Sequence, residues 1–546
     1  KKYGYKFFTN SDTEVVLKCY EKFGLSFVDK LRGMFAVGIW DSRSNQIVLV
    51  RDRLGQKPIY YLKNDNSFIF SSELKAIIEV LNYSPEIDPT GLNEYLKFGF
   101  VPSPKTIYSK IYKLPAAHIL TFSNDNISIN KYWSYSSNQK RNELSQLGFN
   151  EAKEILYDLL IDSVKIRLMS EVPLGAFLSG GIDSSGIVSI MANHSETKVN
   201  TFSIGLKNNE NSELQYAKVL SDYFQTNHNE YIIDLDNFEI LPKVIDMFGE
   251  PFADPAAAYN YHVSSLAKKD VTVALSGDGG DEIFAGYPWY VSLIKQGYFN
   301  NRKKYSKYAS LLYNIWPNSL RGKNKLDLLR QPDNVSIYLL MKNRFSNHFR
   351  NLLFHKDFLN FLSIGNDSIN SMDIDFQYYQ DEILSLMQGV DMESYLPDNI
   401  NVKVDRMSMY NSLEVRSPIL DHKIVEFAYN LPSEMKINNS QNQKFILKEV
   451  FKSSLPNEIV ERPKQGFGLP SNLSSKSDLN RLYSFSKEVL LDKTSIKRKI
   501  FNQDELEKLL FDHKNRLTEP TLSHNQIWSL VCLELWFQSA SIDLKL

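Results

Sequence analysis

The chain has 546 residues, enough for more than one buried core, and its 43% apolar and 23% charged content excludes a disordered chain. With 63 Lys and Arg against 64 Asp and Glu the net charge is -1, which speaks against a dedicated nucleic-acid binder. Two cysteines, Cys19 and Cys532, exclude a disulfide framework, and no apolar run is long enough to span a membrane.

In chain order, Ser11 and Asp12 stand as N-cap residues before Val15, Val16, Leu17, Cys19 and Tyr20, which predicts a helix. Apolar stretches at 33–40, 47–51, 59–62 and 67–70, separated by polar turns, predict a strand meander, with a helix over 73–81 after it. The polar, Ser/Asn-rich segment 134–150 reads as a linker between two domains. Helical spacing of Ile155, Leu156, Leu159, Leu160 and Val164 follows, then short apolar runs at 173–178, 199–205 and 271–275 suited to buried parallel strands. With helical stretches between them, these runs predict a doubly wound α/β domain. Residues 295–330 hold nine Lys and Arg against one acid and read as a helical insertion with a solvated face. The apolar segment 527–537 predicts a C-terminal helix with Cys532 in its core.

Four clusters carry chemistry. Ser179-Gly180-Gly181-Ile182-Asp183-Ser184-Ser185 follows the first apolar strand and opens a helix, so it offers backbone N–H groups and a positive dipole end to an anion. The serines add hydroxyl donors, and Asp183 can hold Mg²⁺ beside phosphates. The run Ser276-Gly277-Asp278-Gly279-Gly280-Asp281-Glu282 ends another strand, where its acids suit a metal held by oxygen ligands. Segments 403–409 and 412–422 bring Arg406 and Arg416, cations able to neutralise phosphate or carboxylate. The fourth cluster, 461–468, contains Lys464, which can reach a departing pyrophosphate. No Walker A pattern, zinc-type histidine pairing or activated cysteine is present in the sequence.

In this order the clusters resemble glutamine-dependent asparagine synthetase over essentially the whole chain. SGGxDSS matches that family's pyrophosphate loop, 276–282 its acidic loop, and KVDRMSM, SLEVRSP, R-x-K-x-GF and the tail around Trp528 and Trp536 fit as well. Segments 10–14, 31–36, 51–55 and 71–75 are similar to later motifs of its class II glutaminase domain. The resemblance implies an α/β plus α+β chain. Residues 1–133 would form a glutaminase domain of Ntn-type sandwich, 134–150 a linker, and 151–546 an ATP-pyrophosphatase (PP-loop, adenine nucleotide alpha hydrolase-like) domain with helical insertions. The family's N-terminal Cys nucleophile, its glutamine-binding arginine and its N-G-x-x-Y-N segment have no counterpart here, so an N-terminally truncated sequence using free ammonia is expected, with a member that lost its amidase as the alternative and Asp12 as the surviving glutamine-binding residue.

The resemblance further implies ATP and Mg²⁺ as cofactors. Phe177, Ile204, Ser276 and Gly277 would hold the nucleoside and Ser179, Gly180, Gly181, Ser184 and Ser185 the phosphates. Asp183 and Asp281 would hold Mg²⁺, with Lys464 and Arg406 on α-phosphate and pyrophosphate. Asp278 would lie near the reacting carbonyl, and Arg416 would contact a carboxylate. Aspartate, ATP and ammonia or glutamine are the expected partners, in a cytoplasmic enzyme with no nucleic acid or membrane and with a homodimer as one possible assembly. Two other readings stand beside it. One is an amide ligase for another carboxylate (β-lactam, sugar or peptide); the other is an RNA-modifying PP-loop protein using the basic 295–330 stretch.

Overall fold

The computed structural model describes residues 3–65, 67–206, 213–233, 238–317, 322–365, 382–438, 442–462, 476–517 and 520–540. The first part is built on two antiparallel sheets. One runs in the order β1 (Ala36–Asp41), β2 (Gln46–Arg51), β6 (His118–Ser123), β7 (Asn126–Lys131); the other runs β4 (Phe68–Ser71), β3 (Tyr60–Lys63), β5 (Ile111–Lys113). Period-two alternation decides what each face meets. Val48 and Val50 of β2 pack with Tyr20, Phe27 and Val28, under the helix Asp12–Phe23. Leu49 points the other way and joins Tyr61 and Leu120 between the two sheets. Ser11 caps the helix by accepting from the Thr13 amide, so the sequence signal for its start holds.

The second part is centred on five parallel strands in the order β10 (Asn227–Ile233), β9 (Asn200–Leu206), β8 (Leu174–Phe177), β11 (Val273–Leu275), β12 (Glu414–Arg416). Both faces are covered. Phe149–Arg167 and Ile182–His194 bury Leu156, Leu160, Val164, Ile187 and Val188 on one side, while Ala256–Ala267 brings Tyr259 and Val263 against Phe202 and Ile204 on the other. Strands lying inside such a sandwich of helices show near-continuous apolar runs, which is why they were legible. The chain moves outward from β8 to β9 and β10, then crosses back to β11 and β12. The switch in direction therefore falls between β8 and β11, and the crevice at their carboxyl ends is the expected ligand site.

Two contacts tie the parts of the chain together. Within 134–150, Asn138–Leu144 forms a helix capped by Ser137, and the Ser137 amide donates to Asn430 at 3.1 Å. The helix Pro89–Phe98, assigned to the first domain, buries Leu92, Tyr95 and Leu96 together with Ile527, Trp528 and Val531 of the C-terminal helix Pro520–Ser539. The Tyr95 hydroxyl donates to the Ser529 carbonyl at 2.7 Å, so this helix and the C-terminal helix share one core.

Candidate active site

At the switch point a cavity of about 350 Å³ opens between the loops that follow β8 and β11. Phe177, Ser179, Asp183, Ser184, Ile204, Ser276, Gly277, Asp278 and Asp281, all singled out from sequence, line it together. The first loop turns at Gly180, whose φ of +72° favours glycine, and a Cβ there would lie 2.5 Å from the Tyr216 Cβ. Gly181 then caps the helix Ile182–His194, which puts the helix N-terminus at the cavity and Asp183 in its first turn. The Ser179 and Ser184 hydroxyls lie 3.0 Å apart. Ser185 behaves differently from its neighbours: it is fully buried and donates back to the Gly181 carbonyl at 2.6 Å, shaping the turn.

The two loops touch backbone to backbone. A Cβ on Gly277 would fall 2.7 Å from the Ser184 nitrogen and 2.8 Å from the Asp183 Cβ, so only glycine permits this approach. Close packing here brings Asp183 and Asp281, nearly a hundred residues apart in sequence, to one point. The Lys444 side chain is inserted between them, paired with Asp183 and 2.7 Å from Asp281 Oδ1. Lys444 is almost fully buried and sits in the left-handed region at φ 55°, just before the helix Phe445–Phe451. Nothing in its sequence context marked it: it is a lone lysine before a short helix, and only the fold delivers it. The aromatic wall was also missed, though Tyr287 and Trp289 follow the acidic loop directly. Their rings stack at 3.9 Å and line the cavity with Tyr395.

Charge in the cavity is predominantly acidic. Burial, reinforced by the neighbouring Asp281 charge, pushes the Glu282 carboxyl up to about 7, and the Tyr287 hydroxyl donates to it. Lys403 faces the same space and pairs with Asp254 at 2.7 Å. Among the described residues no group of three or more His, Cys, Asp or Glu forms a complete metal site. The Asp183 and Asp281 pair still fits Mg²⁺, because Asp183 Oδ1 is a buried acceptor without a hydrogen bond. Mg²⁺ commonly takes one or two carboxylates and fills its remaining positions with substrate phosphates and water.

The two arginines are not brought to this cavity. Arg406 is 2% exposed and reaches across to the first part, donating to the Ser72 carbonyl at 2.7 Å and pairing with Glu73. Its helix, Asn401–Met409, sends different faces in different directions: Lys403 lines the cavity, while Asp405 accepts from Lys57 at 2.6 Å across the seam. Arg416 pairs with Glu414 and donates to the Arg167 and Met169 carbonyls, which closes the sheet edge. Asp12 is exposed in the first turn of its helix and does not line this cavity. Lys464 lies outside the described residues. Its neighbour Arg462 is placed beside the phosphate loop, donating to the Ser179 carbonyl at 3.3 Å.

Residues 156–538 match the asparagine synthase family, and residues 1–133 match a glutamine amidotransferase domain. The chain belongs to the asparagine synthase family. Asparagine synthetase [glutamine-hydrolyzing] 1 of Bacillus subtilis (strain 168) is 31% identical over 544 residues, covering 98% of this chain and 82% of its own length. Asparagine synthetase [glutamine-hydrolyzing] 3 of the same strain is 29% identical and covers 99% of this chain and 84% of its own. A putative asparagine synthetase [glutamine-hydrolyzing] 2 of Methanocaldococcus jannaschii is 39% identical over 335 residues, 60% of this chain and 64% of its own. This asparagine synthase family member is therefore a two-domain α/β carbon–nitrogen ligase, with the cavity in its synthase domain.

Proposed function

We propose that the chain amidates aspartate at the expense of ATP through an acyl-adenylate. The observation that carries this reading is the meeting of Asp183, Asp281 and Lys444 at a helix N-terminus beside a cavity large enough for a nucleotide. The side-chain carboxylate attacks the α-phosphorus, pyrophosphate departs, and β-aspartyl-AMP forms. Ammonia then adds to the activated carbonyl, loses a proton and expels AMP. Such a phosphoryl transfer depends mainly on positioning and charge neutralisation.

The residues divide that work. Ser179, Ser184 and the amides of the helix N-terminus receive phosphate oxygens. Asp183 and Asp281 would hold Mg²⁺, which would neutralise the pyrophosphate. Lys444 supplies a second, fixed cation beside the two carboxylates. Phe177 and Ile204 pack the nucleoside, and Asp278 stands where the carbonyl reacts.

A second, small cavity of about 20 Å³ supports a nitrogen supply from the first domain. It is lined by Met34, Gln56 and Lys57 on one side and by Ser276, Asp278, Asn401 and Asp405 on the other, with room for one water-sized molecule. Asp278 and Ser276 belong to both cavities, so this seam leads to the place assigned to the carbonyl.

The test is pyrophosphate release from ATP and Mg²⁺ with aspartate, comparing ammonium with glutamine and identifying the amide by mass. Asparagine formed from ammonium is the expected product. Absence of pyrophosphate release with aspartate under both nitrogen sources would overturn the reading.

A further inference from the structure

The basic insertion contains a face that the synthase site leaves unused. Its helix Tyr298–Ile315 packs inward through Phe299 and Ala309, 3% and 2% exposed. On the outward side Tyr305, Tyr308, Leu311, Leu312 and Ile315 are 41%, 67%, 70%, 40% and 76% exposed. Steps of three and four residues put these side chains on one arc of the helix, a continuous apolar stripe. Scattered exposed apolar residues need no explanation, but five on one stripe do.

Charge around the stripe indicates what covers it. Arg302 is occupied internally, donating to the Gln331 carbonyl at 3.5 Å, and Lys323 donates to the Trp316 carbonyl at 2.9 Å. Arg330 pairs at 2.7 Å with Asp327, the one acid of the segment. Lys295, Lys304, Lys307 and Lys325 remain exposed, with no further acid in the segment to offset them. A second copy laid stripe to stripe would bring two such lysine sets together without compensating acids. An anionic occupant would neutralise them.

We propose that this helix docks reversibly on an anionic lipid surface, lying in the headgroup plane with the stripe inserted. A single helix ridge offers no groove for an interdigitating protein, whereas an amphipathic face with tyrosines, branched aliphatics and flanking lysines suits the interface. The contact is peripheral, since no helix among the described residues is long and apolar enough to cross a membrane. Lysines near such a surface each strengthen attraction to acidic lipids, and salt weakens it.

The experiment is flotation of the full chain with vesicles of phosphatidylcholine alone and of equimolar phosphatidylcholine and phosphatidylglycerol. Binding is expected only to the anionic vesicles, with loss at high salt. Leu311→Glu with Ile315→Glu should weaken it by about tenfold or more. Lys304→Gln with Lys307→Gln should weaken it by about thirtyfold. Both variants should release pyrophosphate at the parent rate, which also confirms that they fold. No flotation with anionic vesicles overturns the proposal, as does flotation indifferent to the apolar substitutions. A dimer in solution that the Leu311 and Ile315 substitutions dissociate would assign the stripe to a second copy instead. Salt-sensitive RNA binding without flotation would assign the lysines to nucleic acid.

Discussion

Replacing Gly277 by Ala tests whether contact between the two loops, and not merely their composition, makes the site. The added methyl would meet the Ser184 nitrogen at 2.7 Å, the Asp183 Cβ at 2.8 Å and the Asp183 carbonyl carbon at 2.9 Å, short by 0.5–0.7 Å of the 3.4 Å where ordinary contact begins. Gly277 is not in the left-handed region, so alanine there carries no backbone strain of its own. The clash is therefore relieved by moving the loops apart. Asp183 and the helix N-terminus retreat from Asp281 by roughly half an ångström or more, and a shift on the order of 1 Å costs about a hundredfold in rate. A loss of about ten- to a hundredfold in kcat is expected, with about 1–3 kcal/mol of stability lost to overpacking. The assay is ammonium-dependent pyrophosphate release beside a urea titration, with Gly148→Ala as the control because its methyl meets nothing within 4 Å. A Gly277→Ala enzyme that turns over at the parent rate while remaining folded would refute the reasoning.

Lys444→Met should lower pyrophosphate release by about a hundred- to a thousandfold, the size of effect seen when one preorganised donor to developing negative charge is removed; a rate within tenfold of the parent would remove Lys444 from the machinery. Arg406→Met should instead cost about 1.5–3 kcal/mol in urea unfolding, because it breaks the buried hydrogen bond to the Ser72 carbonyl and the pairing with half-exposed Glu73, and leave the ammonium-dependent rate nearly intact. A large rate loss with unchanged stability would return Arg406 to phosphate binding.

Acid sensitivity is expected from His524, which is 2% exposed with both ring nitrogens unpartnered. Burial, with the nearby His513 and Arg344 charges, lowers it to about 4 from 6.5. The unfolded chain takes up that proton first, so the stability is fully present above pH 6.5 and is lost as pH falls toward 4. The loss from this group is about 3 kcal/mol. Urea unfolding at pH 7 and pH 4.5 should show a smaller difference in His524→Gln than in the parent; an equal difference would exclude His524 as the source.

The parts of this protein whose chemistry is local are legible in consecutive residues. A glycine-rich turn between a buried strand and a helix presents backbone N–H groups to an anion, and period-two and continuous apolar runs told the two kinds of sheet apart. Ser179, Asp183, Ser276, Asp278 and Asp281 stand out in their loops from the sequence, Phe177 is added by the family resemblance, and all six line one cavity. Which cations join them depends on long-range packing. From sequence Arg406 is a candidate for phosphate and Arg416 for a carboxylate, but the hydrogen bonds of each side chain commit them to the domain seam and the sheet edge. Lys444, marked by no motif, is carried between the two aspartates by the packing of a helix distant in sequence. The difference has a physical cause. Loop geometry is written in a few consecutive residues, whereas the partner of a long, flexible, charged side chain is fixed by whichever surfaces the whole chain brings within its reach.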